Sequence, residues 1–137
     1  MDKTYIKMSD FDEVQGLSKL LTLETKQGSL WVKADDHNVV IWASDMLIHP
    51  PAIKFIRLFR QNQLQEMIRV KKTPETDMDE PDAMLLDRFY IWLFKERGGK
   101  WPFYDAGRAS MEQLWLAFCM SKKFGKVWSG NDWIKEK

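Results

Sequence analysis

The chain predicts a small α+β domain, a β-hairpin or small antiparallel sheet packed against about four helices, and three observations carry that reading. Two short β-branched and aromatic runs flank four turn-forming residues. Two later stretches carry both start and stop signals for helices. Five of the seven tryptophans, Trp92, Trp101, Trp115, Trp128 and Trp133, crowd the C-terminal third, which makes the last two helices an aromatic-rich hairpin. At 137 residues, with 45% hydrophobic and 30% charged side chains, the chain has single-domain length (1–137) and enough apolar material for a core.

In chain order, a short strand is expected at Tyr5–Lys7. Ser9 or Asp10 then caps a helix in which Phe11, Val14, Leu17, Leu20 and Leu21 recur at helical spacing, ending at Gln27-Gly28. Leu30–Ala34 and Val39–Ala43, separated by Asp35-Asp-His-Asn38, form the β-hairpin. Trp31 and Trp42 are expected as cross-strand neighbours. His49-Pro50-Pro51 interrupts the chain, and a helix follows from about Pro51 to Val70. Ile53, Ile56, Leu64, Met67 and Ile68 would face inward, with Lys54, Arg57, Gln61 and Gln65 outward.

Residues 71–81, polar and holding two prolines, are expected as a flexible acidic linker. A third helix starts near Pro81, capped by Asp79 or Glu80, and stops at Gly98-Gly99. Its apolar residues (Leu85, Leu86, Phe89, Tyr90, Trp92, Leu93 and Phe94) cover more than half the circumference, the signature of a central buried helix. Ser110-Met-Glu-Gln113 is a capping box, and Lys122, Lys123 and Gly125 mark the end of that helix. The tail Lys126–Ile134 reads as strand, turn, strand or as a packed extended tail.

Chemistry-bearing motifs are sparse. The single cysteine, Cys119, excludes an internal disulfide and lies in an apolar run, a poor setting for a thiolate. His37 beside Asp35 and Asp36 is explained by turn formation as well as by ligation. The acidic string Asp77–Asp82 lacks the glycine of a calcium loop and holds a proline within it. Neither Gly98-Gly-Lys100 nor Gly125-Lys126 has phosphate-loop spacing. The expectation is therefore a non-enzyme without cofactor or metal. No signal-like or membrane-length apolar run stands in the sequence, which points to a cytoplasmic protein away from membranes.

Two binding modes remain. Interface cores favour Trp, Tyr, Phe, Met and Arg, so a protein-binding surface is expected at Trp101, Phe103, Tyr104, Trp128 and Trp133, with Arg57 and Arg60 as electrostatic partners. The alternative is nucleic-acid binding through Lys54, Arg57, Arg60, Lys71, Lys72, Lys122, Lys123 and Lys126. In that mode cations would track phosphates while Trp128 and Trp133 stack on bases. The near-neutral net charge of +1 lacks the usual basic excess for that role.

The residues Phe89-Tyr-Ile-Trp92, Gly98-Gly-Lys-Trp-Pro-Phe-Tyr104 and Met111-Glu-Gln-Leu-Trp-Leu-Ala-Phe118 together resemble a helix–loop–helix of small accessory proteins from tailed phages and prophages. That resemblance covers only the C-terminal hairpin and brings no site residues. It implies a phage-encoded factor that docks on a host protein complex in the host cytoplasm and modulates or inhibits it.

Overall fold

The computed structural model describes residues 2–21, 29–33, 39–42, 55–96 and 109–135. The architecture is α+β, with helices interleaved with a three-stranded and a two-stranded antiparallel sheet. The chain divides into two compact units, Met1–Gln63 and Leu64–Lys137.

In the first unit, the segment expected as a strand is helix α1, Lys3–Ser9. The Asp2 carboxylate accepts the Tyr5 N–H at 3.0 Å, satisfying one of the amides a helix start leaves open. That local bond outweighs the β preference of Tyr5-Ile6. It also lets Tyr5, Met8 and Ser9 share one buried helix face. The Tyr5 hydroxyl is anchored by donating to the Phe59 carbonyl at 2.5 Å.

The long second helix expected from Ser9 or Asp10 does not form. Asp10 instead closes α1. Helix α2 covers only Asp12–Gln15 before tightening to a 3₁₀ turn over Gly16–Leu20. Val14, Leu17 and Leu21 are buried, whereas Leu20 is exposed. Gly16 sits where the winding changes. The expected end at Gln27-Gly28 lies outside the described residues.

The hairpin is present as β1, Ser29–Lys33, paired antiparallel with β2, Val39–Trp42. Its register opposes Trp31 to Val40 and Ser29 to Trp42, so the two tryptophans are diagonal rather than directly opposed. The expected turn, Asp35–Asn38, lies outside the described residues.

A third strand is the main correction. Phe55–Leu58 is β3, antiparallel to the other side of β1 in the order β2-β1-β3. Only Gln61–Ile68 of the expected 51–70 helix is helical (α3). Ile56, Arg57, Leu58 and Phe59 are all buried. Continuous burial gives a strand no alternation to distinguish it from a helix. The open edge of β1 then decides between the two, because it offers ladder bonds to an extended neighbour.

In the second unit, α4 spans Asp82–Ile91 and continues as a wider π-helical winding over Trp92–Glu96. Helix α5 is Met111–Phe124. Ser110 caps it by accepting the Gln113 N–H at 3.1 Å. It ends at Gly125, whose φ of 62° is left-handed, as its sequence signals require. Gln113 to Met120 are buried on every side of that helix.

The core centres on rings. Phe89 stacks on Trp115, Phe118 meets Trp115 edge-on at 5.8 Å, and Trp92 approaches Phe118 at 5.3 Å. The Trp92 indole donates to the Ser121 hydroxyl at 3.2 Å. The tail forms a hairpin of β4, Lys126–Trp128, and β5, Trp133–Lys135, in which Trp128 directly opposes Trp133.

Candidate interaction surface

The aromatic residues expected to bind a partner separate into two groups. Trp101, Phe103 and Tyr104 lie outside the described residues, as do Lys54, His37 and His49. Trp128 and Trp133 are 1% and 8% exposed, which corrects their placement as solvent-facing anchors. Cross-strand register opposes the two residues and sets their ring centroids 5.2 Å apart.

Arg57 is also buried, not outward. Its guanidinium lies 4.5 Å over the Trp31 ring and 5.9 Å from Phe59. Burial lowers its pKa from the usual arginine value. Arg60 is exposed, with its backbone N–H held by the Gln63 side chain at 2.9 Å.

The basic residues are dispersed in their contacts. Lys71 pairs with Glu66 at 2.8 Å and Lys122 with Glu96 at 2.9 Å. Lys72 and Lys123 are exposed, and Lys126 stands opposite Lys135 in the hairpin register. The rings expected to stack bases beside Lys122, Lys123 and Lys126 are the buried Trp128 and Trp133. Cys119 is fully buried, and its thiol donates to the Leu64 carbonyl at 3.3 Å. Desolvation pushes its pKa up to about 12, so it remains a thiol at neutral pH.

The surface that stands out is on α4, where the wide apolar face was expected to be buried all round. Leu85, Phe89, Trp92 and Leu93 are buried, but Leu86, Tyr90 and Phe94 are 50%, 57% and 52% exposed. Their four-residue spacing places them in one stripe along the helix. The Tyr90 and Phe94 rings already contact each other, with centroids 4.7 Å apart. Two apolar stripes, adjacent in sequence, had merged into one broad face. Periodicity registers that both are apolar and is blind to which one the rest of the fold covers.

A second apolar feature adjoins the other flank of α4, where the 71–81 loop is drawn closed at its neck. Val70 and Glu80 exchange backbone-centred bonds: the Glu80 N–H donates to the Val70 carbonyl at 2.8 Å, and the Val70 N–H to Glu80 Oε1 at 3.2 Å. Arg88 forks onto the Glu80 carboxylate at 2.8 and 2.7 Å and also donates to the Ile68 carbonyl at 2.9 Å. Arg69 bonds the Glu80 carbonyl, Asp82 and Glu66 at 2.6, 2.7 and 2.9 Å. The Arg88 hydrogen bonds hold the Glu80 carboxyl below its usual pKa, against the opposing effect of burial.

Asp79 and Glu80 were expected to cap α4. They serve the loop instead: Asp79 accepts the Lys72 N–H at 2.8 Å, while Pro81 stands at the helix start without a side-chain cap. Inside the loop, Thr73 and Thr76 bond each other and Asp77 adopts a φ of 59°. Between loop and helix lies a cleft of about 260 Å³ lined by Val70, Met78, Pro81 and Met84, with Asp79 and Glu80 at its wall.

Among the described residues, no group of three or more His, Cys, Asp or Glu gathers to hold a metal, and no helix is long and apolar enough to cross a membrane. The fold and surface define a small α+β protein that presents apolar side chains on a charged frame. No protein-family model, curated protein or solved structure matches the chain.

Proposed function

We propose that this chain is a protein-binding module whose contact surface includes the Leu86, Tyr90 and Phe94 stripe of α4. The carrying observation is the half-exposure of three large apolar side chains along one helix. A set of that kind costs solubility and gains free energy when a partner covers it. Tyr and Phe are also efficient anchors, since each brings large area with few rotatable bonds.

The resemblance to tailed-phage accessory proteins supports a phage-encoded factor that docks on a host protein complex and modulates or inhibits it in the host cytoplasm. One of the three segments of that resemblance, Phe89 to Trp92, lies along the same helix as the stripe. The nucleic-acid alternative draws less support, because Trp128 and Trp133 are buried.

The test is affinity capture with the wild-type chain and with a Tyr90→Lys, Phe94→Lys double variant. A stoichiometric partner that survives nuclease, and is lost from the variant at unchanged melting temperature, supports the reading. A partner retained by the variant, or released by nuclease, overturns it.

A further inference from the structure

We infer that the cleft between the 71–81 loop and the start of α4 is a docking site for a basic peptide segment that inserts one large apolar side chain. The inference rests on the chain being a protein-binding module, but it uses a different surface from the Leu86, Tyr90 and Phe94 stripe.

Three observations converge. The first is size: an engineered apolar cavity of about 150 Å³ takes up a benzene ring, so a cleft of about 260 Å³ accommodates one phenyl or indole side chain but not a packed helix face. The second is lining. Met78 and Met84 are 59% and 60% exposed and Val70 is 52% exposed, so the apolar wall is presented to solvent. Methionine's unbranched, polarisable thioether adapts to differently shaped anchors, which is why it recurs on peptide-binding surfaces.

The third is charge. From Lys71 to Asp82 the loop carries Glu75, Asp77, Asp79, Glu80 and Asp82 against two lysines, Lys72 and Lys71, the latter paired with Glu66. Glu80 and Asp82 are spent on Arg88 and Arg69. Glu75, Asp77 and Asp79 remain exposed beside Met78 and give the rim a negative potential. An apolar anchor flanked by lysines or arginines matches this pattern, whereas an acidic segment or an anionic membrane is repelled by it.

The neck bonds support the site mechanically. The Arg88 fork on Glu80, the Glu80 N–H on the Val70 carbonyl and the Val70 N–H on the Glu80 carboxylate fix both ends of the loop. The cleft wall is thus set before a ligand arrives, which lowers the ordering cost of binding.

The experiment uses a fluorescein-labelled peptide of lysines and alanines with one central tryptophan, and the same peptide with glutamate for lysine. Anisotropy titrations of the full chain should show binding of the lysine peptide alone, weakening from low salt to physiological ionic strength. Met84→Ser, a charge-neutral change on an exposed helical position, should weaken it about tenfold or more. The Glu75→Lys, Asp77→Lys double variant, confined to the loop surface, should weaken binding and flatten the salt dependence.

Equal binding of both peptides, or a wild-type affinity in both variants, overturns the inference. The Tyr90→Lys, Phe94→Lys variant separates the two surfaces. If it loses its captured partner while the lysine peptide binds no form of the chain, the cleft inference fails and the proposed function stands. If the lysine peptide binds in the predicted manner and no nuclease-resistant partner is captured, the cleft inference survives and the stripe reading fails.

Discussion

The side-chain amide of Gln15 bonds both backbone groups of Arg57. Its Oε1 accepts the Arg57 N–H at 2.9 Å, and its Nε2 donates to the Arg57 carbonyl at 3.0 Å and to the Ser9 carbonyl at 2.7 Å. Arg57 lies on β3, the edge strand beyond β1. Gln15 therefore occupies the position that another strand would take, and it blunts an edge open to further pairing.

Gln15→Ala should cost about 2 kcal/mol, since it strands buried backbone groups rather than removing a bond between solvated ones. Gln15→Glu should be destabilising as well, because a carboxylate cannot donate to the two carbonyls. Urea unfolding checks both, and a midpoint unchanged by either variant would contradict this role.

The Phe89 ring lies flat on Trp115, with centroids 4.1 Å apart and planes 10° from parallel. Phe89→Ala removes that stack and the edge contact with Phe118 at 5.6 Å. It should cost about 3–5 kcal/mol, the range for emptying an aromatic core site. Tyr90→Ala, on the next residue but 57% exposed, should cost well under half of that. Comparing the two by chemical denaturation tests whether α4 has one buried and one open side.

Glu80 makes stability depend on pH in a stated direction. Its folded pKa is depressed, chiefly by the Arg88 hydrogen bonds. The stabilisation is therefore fully present above the unfolded value of about 4.3 and is lost as pH falls through the lower folded value. Arg88→Met should cost about 2 kcal/mol at neutral pH. That is less than for a fully buried pair, because the Arg88 side chain is 35% exposed. Glu80→Gln should flatten the acid limb of a stability–pH profile, leaving the contribution of Glu66, whose pKa Lys71 also lowers.

Gly125 ends α5 in the left-handed region, and a Cβ there would meet nothing within 4 Å. Gly125→Ala is thus strained by its own backbone rather than by a clash. It should lower stability by about 1 kcal/mol, with Gly125→Asn costing less. Thermal unfolding of the two variants distinguishes conformational strain from crowding, which would penalise the larger asparagine more.

What was legible in the sequence follows from how local its cause is. Ser110 and Gly125 delimit α5 because caps act within one turn. The β1–β2 hairpin and the Lys126–Lys135 hairpin are joined by short connections between complementary runs. These are decided by neighbours in the chain.

The tertiary structure decided the rest. Phe55–Leu58 became a strand because β1 had an open edge, and the Tyr5 hydroxyl found the distant Phe59 carbonyl. Arg57 was drawn inward by the same strand, and Trp128 and Trp133 were turned onto each other by their register. Of the seven apolar residues read as one broad face of α4, only packing leaves Leu86, Tyr90 and Phe94 in solvent. The sequence by itself determined which segments are apolar, capped or acidic, since those are properties of residues and near neighbours. Which apolar surface is covered depends on long-range partners, and that is why the exposed Leu86, Tyr90 and Phe94 stripe became visible only in the folded chain.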